Sequence, residues 1–371
     1  MSDNQKVAVV GAGIVGLCTA YALVEWGATV RVYERGRPGN AQSGGESRIF
    51  RHAHDDPRMV RYAQQSRQVY REWQERLGVE LVSDDGAVAL GGSAGGRLGP
   101  LQEAGVAARM IDGDELRERL PLLAAYDGPA MLDEEGGSIR TTAMVRALVD
   151  ALGDALVADE VLSVRPTRSG VEVRSGGRTD IYDRVVVAAG RSTAALGRSV
   201  GVELPVDDAA HVRLTFAVSG EPPSRLATLQ DSSGEFGETG IYAAALPGNR
   251  GLGLGLSDTT PGRSDGSLLA PGELADLAAR AGEYVARALP GLDPEPVEVR
   301  HCFTTQLPWG EDAMAVWEHD GVLFPAGHNL FKQAPGLGRK IAAAACGESL
   351  PAELAPDARL GAPPRAAVRG R

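Results

Sequence analysis

Lysine is almost missing from this chain. Lys6, Lys332 and Lys340 are its only lysines among 38 basic residues, so any role that needs an ammonium group has few candidates. Where arginine is the rule, a retained lysine suggests a fit that arginine would spoil. Cysteine is scarce too: Cys18, Cys302 and Cys346 are too few and too scattered for a disulfide framework or a zinc site, and no metal is expected. Positive charge is outweighed, with 49 acidic residues giving a net charge of −11, which disfavours nucleic acid or an anionic membrane as partner. No apolar run approaches the ~18 residues of a membrane span, and no basic-then-apolar leader is visible. A cytoplasmic enzyme with a small-molecule substrate is the expectation.

What is present begins with KVAVVGAGIVGLCTAYALVEWGATVRVYE. It reads as a strand over 6–10, a glycine turn, a helix, and a second strand from Thr29 to Tyr33 ending at Glu34. Each part has a physical task. Gly11 permits the tight turn, Gly13 lets the main chain approach a pyrophosphate, and Gly16 lets helix and strand pack closely. The helix N-terminus favours phosphate charge, and Glu34 can accept hydrogen bonds from ribose hydroxyls. With 48 glycines in 371 residues the spacing alone is weak, but its place between strand, helix and acidic residue makes it a dinucleotide site, NAD or FAD. The later run VVVAAG, ending at Gly190, is a buried strand of the kind that passes close to FAD in glutathione-reductase-like proteins.

The remaining pattern predicts helices over 57–77, 141–152, 271–289 and 336–350, and a short helix and loop over 110–123. Two short strands are expected over 79–91, further strands over 155–182, 212–218, 240–246, 251–256 and 321–327, and a frayed Pro/Ala/Arg-rich tail over 351–371. The expected architecture is α/β: a Rossmann-type FAD-binding domain made of 1–80, 138–205 and 300–350. Inserted into it is an α+β substrate domain, 81–137 and 206–299, with a mixed or antiparallel sheet.

Three segments resemble the monomeric sarcosine oxidase and N-methyltryptophan oxidase group of the D-amino-acid-oxidase-like FAD family. They are the N-terminal motif, SRIFRHAHDDPRMVRYAQQSRQVYREW from Ser47, and HCFTTQLPW with VLFPAGHNLFKQAPGLG, spanning 301–338. The resemblance implies that Arg48 and Arg51 lie in the R-I-x-R-H stretch, with Arg51 reaching a substrate carboxylate and Arg48 near the cofactor. Lys332 matches the lysine that assists carboxylate binding. Cys302 falls where members with covalently held flavin form a thioether. Amides around Gly336 and Gly338, at a helix start, would sit near the flavin pyrimidine. On chemistry alone a guanidinium fork and a lysine suit a carboxylate, although Arg51 could equally be a surface arginine and Cys302 a small buried apolar residue. Of His52, His54, His211, His301 and His328, the last lies in the loop leading to Lys332 and is the foremost candidate for handling a proton.

Departures from the group are equally informative. Its G-L-K-L-G-x-H strand, whose lysine promotes the reaction of flavin with oxygen, becomes GLGLGLS, with Gly253 in the lysine position and Ser257 in the histidine position. An expected tyrosine is replaced near Ala243, with Tyr242 adjacent; a common histidine is Gly44, and the loop before Lys332 is shorter. The expectation is FAD-dependent oxidation of the C–N bond of a carboxylate-bearing secondary or cyclic amine, with oxygen or another molecule as electron acceptor. Reoxidation by oxygen is expected to be slow unless Lys332, His328 or the substrate's ammonium supplies the missing charge. An FAD dehydrogenase or monooxygenase is the alternative.

Overall fold

The computed structural model describes residues 5–363. A six-stranded sheet runs in the order Met314–His319, Val322–Gly327, Arg184–Val187, Lys6–Val10, Thr29–Glu34, Leu156–Ala158. All neighbours in it are parallel except the first pair. Parallel strands are covered on both faces and read as continuous apolar runs. Accordingly Val7 and Val9 pack under the helices Ile14–Glu25 and Ala334–Ala345, while Ala8 and Val10 face a core with Val164, Val171 and Val173 of a three-stranded antiparallel sheet. The helix Pro57–Leu77 begins on an Asp56 side-chain cap and ends at Gly78 in the left-handed region.

The second sheet has nine strands, mixed, and is assembled from Ala87–Leu90, Ala108–Ile111 and Ala130–Asp133 together with strands between 207 and 306. Side-chain alternation divides its faces. Val212, Leu214, Phe216, Ala243, Leu252 and Leu254 pack with the helix Pro271–Ala288. Their sequence neighbours His211, Arg213 and Tyr242 point the other way, into a cavity shared with the first sheet. A two-stranded ribbon, Ser47–Phe50 with Gly137–Arg140, bonds to the second sheet: Ser47 Oγ donates to Ala244 O at 3.1 Å and Arg140 to Ala245 O at 3.1 Å.

Several elements differ from the sequence reading. The strand Glu298–Gln306 pairs along Asp207–Ala217 in the second sheet, so 300–306 leaves the first-sheet unit to which 300–350 was expected to belong. Within 79–91 only Ala87–Leu90 is a full strand. The glycine-rich stretch Gly92–Glu103 is a helix, and Met314–His319 a strand, neither foreseen. Residues 351–363, expected to fray, are packed. Leu354 and Leu360 are buried, Arg58 donates to Ala358 O at 2.7 Å, and the Gly361 amide donates to Asp56 at 2.9 Å. Two buried leucines amid Pro and Ala were enough to anchor this stretch; the rest of the expected tail lies outside the described residues. Among the described residues no helix is long and apolar enough to cross a membrane, and no cluster of His, Cys, Asp and Glu could hold a metal.

Candidate active site

The first strand delivers the chain into the glycine turn. Gly11 has φ +99°, and a Cβ there would lie 2.4 Å from Ala188 O; at Gly16 one would lie 2.0 Å from Gly11 O. Both positions exclude any side chain because main chain is already in contact. Gly13 differs: it borders the cavity, and a Cβ would meet only Ser43 Oγ, at 3.4 Å. Ser43 Oγ accepts the Ile14 N–H at 2.9 Å. The Glu34 carboxylate holds the turn, accepting the Ala12 N–H at 2.9 Å and the Gly36 N–H at 2.8 Å, with lone pairs left for ribose hydroxyls.

From this turn a cavity of about 780 Å3 extends between the sheets, within the range of cofactor and substrate pockets. Gly11, Gly13, Glu34, Arg48, Arg51, Gly190, Cys302, His328 and Lys332 all line it. Gly16 does not, in keeping with its packing task. Gly336 and Gly338 do not line it either, contrary to expectation. The helix starts at Ala334 rather than Gly336, and both glycines are buried at helix contacts, where Cβ atoms would lie 2.5 Å from Ser66 Oγ and 2.7 Å from the Cys18 main chain. Their small size serves helix packing.

On one side of the cavity cations converge on a carboxylate that the sequence reading missed. Arg51 Nη2 donates to Asp312 Oδ2 at 3.0 Å, Lys332 Nζ to Oδ1 at 3.3 Å, and Asn329 Nδ2 to Oδ1 at 2.8 Å. His54 Nδ1 lies 2.8 Å from Oδ2. Burial works against ionisation of Asp312, but Lys332, Arg51 and His54 outweigh it and hold the carboxyl well below its usual range. Burial, reinforced by Arg51, brings Lys332 down to about 8, and burial brings His54 down to about 4. Arg51 Nη1 is buried and has no hydrogen-bond partner. Asp312 thus fixes one arm of the guanidinium.

His328 donates from Nδ1 to Glu311 O at 3.1 Å, which leaves Nε2 as its acceptor, and burial keeps the ring neutral by lowering its pKa. On the second sheet Tyr242 OH lies 2.7 Å from His211 Nδ1. Burial, ahead of His328, Arg48 and Arg213, takes His211 to about 3, and burial raises Tyr242, so this pair is neutral as well. Tyr242 therefore faces the cavity and Ala243 the apolar core. His52 binds Asp133 with both ring Nδ1 and main-chain N–H, the latter at 2.7 Å, away from the cavity. His301 is exposed.

The Gly253 position is not empty of charge. Its strand neighbour carries Arg213, whose guanidinium occupies the space a side chain at Gly253 would take; a Cβ there would lie 2.6 Å from Arg213 Nη2. Gly255 likewise makes room for Tyr242, with a Cβ 2.4 Å from its hydroxyl. The available signal was Arg213 in HVRLTF, at the parity of His211 and alternating with the apolar Val212, Leu214 and Phe216.

A strand, turn and helix of this kind, opening on a large cavity with a cation-rich far end, define a dinucleotide-binding enzyme. The comparisons give the cofactor. The chain belongs to the DAO family, FAD dependent oxidoreductase, which matches residues 6–344. Glycine oxidase of Geobacillus kaustophilus is 26% identical over 362 residues, covering 88% of this chain and 89% of that protein. Among solved structures, NikD, an unusual amino acid oxidase essential for nikkomycin biosynthesis, superposes with a TM-score of 0.80 at 20% identity, covering 98% of each chain. L-proline dehydrogenase from P. horikoshii superposes at 0.78 and 16% identity, covering 95% of this chain and 96% of that one. The fold and FAD dependence of the D-amino-acid-oxidase-like class expected from sequence are thereby established.

Proposed function

We propose that this flavoenzyme oxidises the C–N bond of a carboxylate-bearing amine, a secondary or cyclic amino acid, giving an imine. The observation that carries the reading is that Arg51 and Lys332, both oriented by Asp312, line the cavity side by side. A carboxylate there restores charge balance around Asp312. The related and similar proteins are, by name, an oxidase or dehydrogenase of amino acids, glycine and proline among them, which supports an amino acid substrate. FAD, when bound, accepts the two electrons.

The protein's own contribution is position and proton handling. Asp312 orients Arg51, Arg51 and Lys332 hold the carboxylate, and the neutral His328 offers Nε2 to the proton that an incoming ammonium must lose for its nitrogen to bind neutral. Cys302, on the strand beside His211 and lining the cavity, is the candidate for a covalent flavin link. Acid precipitation that leaves the yellow colour in the pellet for the wild type but not for Cys302→Ala is the expected result.

The substrate reading is tested by anaerobic mixing with N-methyl and cyclic amino acids while following loss of flavin absorbance. Arg51→Ala should weaken the affinity by about 1.5–3 kcal/mol, the range for hydrogen bonds to a charged group. An unchanged affinity in both Arg51→Ala and Lys332→Ala would remove the carboxylate from the reading.

A further inference from the structure

Three guanidinium groups line this cavity with no ion pair among the described residues: Arg191, which lies over the Phe303 ring, Arg48 and Arg213. Arg48 donates only to main-chain carbonyls, Ser47 O at 2.9 Å and Gly44 O. Arg213 donates to Ser47 Oγ and Gly253 O, both at 3.2 Å. Arg213 is 7% exposed. Two glycines make the arrangement possible, since a Cβ at Gly45 would lie 2.7 Å from Arg48 Nη1 and one at Gly253 would lie 2.6 Å from Arg213 Nη2. Behind Arg213 lies a crevice of about 10 Å3 lined also by Glu298 and Arg300, close to the minimum for one water.

A buried cation is tolerated when it is paired; Arg213 is buried and in no ion pair, and Arg48 is half-buried and likewise in none. Burial and the repulsion of Arg48 already weaken the hold of Arg213 on its proton, whose pKa falls to about 10, which still leaves it charged at neutral pH. Glu298, across the crevice, forms no ion pair with Arg213 and acts on it less than burial and Arg48 do, so a ligand on the cavity side is the closer counter-charge. The pyrophosphate of FAD is accounted for by the glycine turn of the first sheet, and the substrate carboxylate by the Arg51 cluster. Arg213 belongs to the second sheet, on the cavity wall that also carries His211, Tyr242 and Cys302. What remains is the negative charge that the flavin ring itself acquires when it takes up electrons, and a fixed charge in a poorly hydrated site acts on it strongly.

We infer that Arg213, supported by Arg48, is the fixed positive charge that stabilises electrons on the flavin, a task the neighbouring strand hands over through Gly253. This rests on the FAD dependence of the family and not on the substrate proposed above. The test contains no substrate, so either reading can fail alone.

The experiment measures the two-electron midpoint potential of the holoenzyme and its affinity for sulfite, which adds its sulfur lone pair to the ring and leaves negative charge in it. Arg213→Gln should disfavour reduction at least tenfold, a fall of about 30 mV for a two-electron couple, and should weaken sulfite binding at least tenfold. Arg213→Lys should keep both within about threefold. Wild-type values for both quantities in Arg213→Gln overturn the assignment. Should that variant not retain FAD, Arg213→Ala/Gly253→Lys is compared with Arg213→Ala/Gly253→Met, in which the side chain at 253 has similar length. A higher potential and tighter sulfite binding in the lysine form support the inference, and equal values overturn it.

Discussion

The cavity holds two cationic clusters built on opposite electrostatic principles. Around Asp312 the charges of Arg51 and Lys332 are met by a buried carboxylate that also fixes their geometry. Around Arg213 and Arg48 only carbonyl and hydroxyl oxygens accept hydrogen bonds. The first cluster is preorganised and needs one further anion to balance its charge. The second has no ion-paired carboxylate, and Glu298 acts on Arg213 less than burial and Arg48 do. The contrast teaches that counting cations around a site says little until their acceptors are known, because an internal carboxylate turns two positive charges into an orienting device of low net charge.

The sharpest way to break this comparison is through stability. Removing one partner of a buried ion pair typically costs about 3–5 kcal/mol because the other charge is left uncompensated, whereas replacing a poorly paired buried charge by an apolar group of similar size is often neutral. Urea unfolding should therefore show Asp312→Ala losing about 3 kcal/mol or more, with Arg213→Met within about 1 kcal/mol of the wild type. Equal losses would erase the distinction between the clusters.

Protonation gives a smaller effect that separates them further. The free Lys332 ammonium, near pKa 8, is mostly neutral at pH 8.5, and an incoming carboxylate raises its pKa. Binding at that pH should take up a fraction of one proton, and carboxylate affinity should fall as pH rises through 8. Titration calorimetry with acetate, in buffers of different ionisation enthalpy, measures the uptake. At pH 6.5 Lys332 is already charged and contributes none, and Lys332→Met should abolish the uptake at pH 8.5. The same uptake in Lys332→Met would place the titrating group elsewhere.

Smallest is the expected effect of Gly253→Ala. Its Cβ meets the end of a flexible side chain, so Arg213 moves and the cost should stay within about 1 kcal/mol. Gly251→Ala, whose Cβ would lie 2.2 Å from the Phe216 carbonyl oxygen, should cost more, because paired main chain cannot move aside. Thermal unfolding of the two variants side by side checks the order.

Much of the first sheet was legible because its signals are local. The strands at 6–10 and 29–34, the turn and the helix between them fall within one short run, and glycine spacing and apolar periodicity report them directly. Helices 57–77 and 141–152 carried the same kind of local signal and appear with the expected bounds. The motif around Arg51 and that around Lys332 both border the cavity. The sequence could not show that their charges meet at Asp312, a residue in an unremarked loop 261 positions from Arg51. Nor could it show that 351–363 packs, since two leucines in a Pro/Ala-rich stretch have no periodicity to read.

The sequence by itself determined that this chain binds a dinucleotide at its start, because strand, turn and helix are dictated by neighbours along the chain. It also determined that lysine-based charge is confined to Lys6, Lys332 and Lys340. The tertiary structure alone decided which residue stands in for the side chain absent at Gly253. Strand pairing sets which parity faces the cavity and which neighbour lies alongside, and it brings Thr215 opposite Gly253 with Arg213 on the same face. Two further strands lie between these two along the chain, so no simple spacing reveals that register.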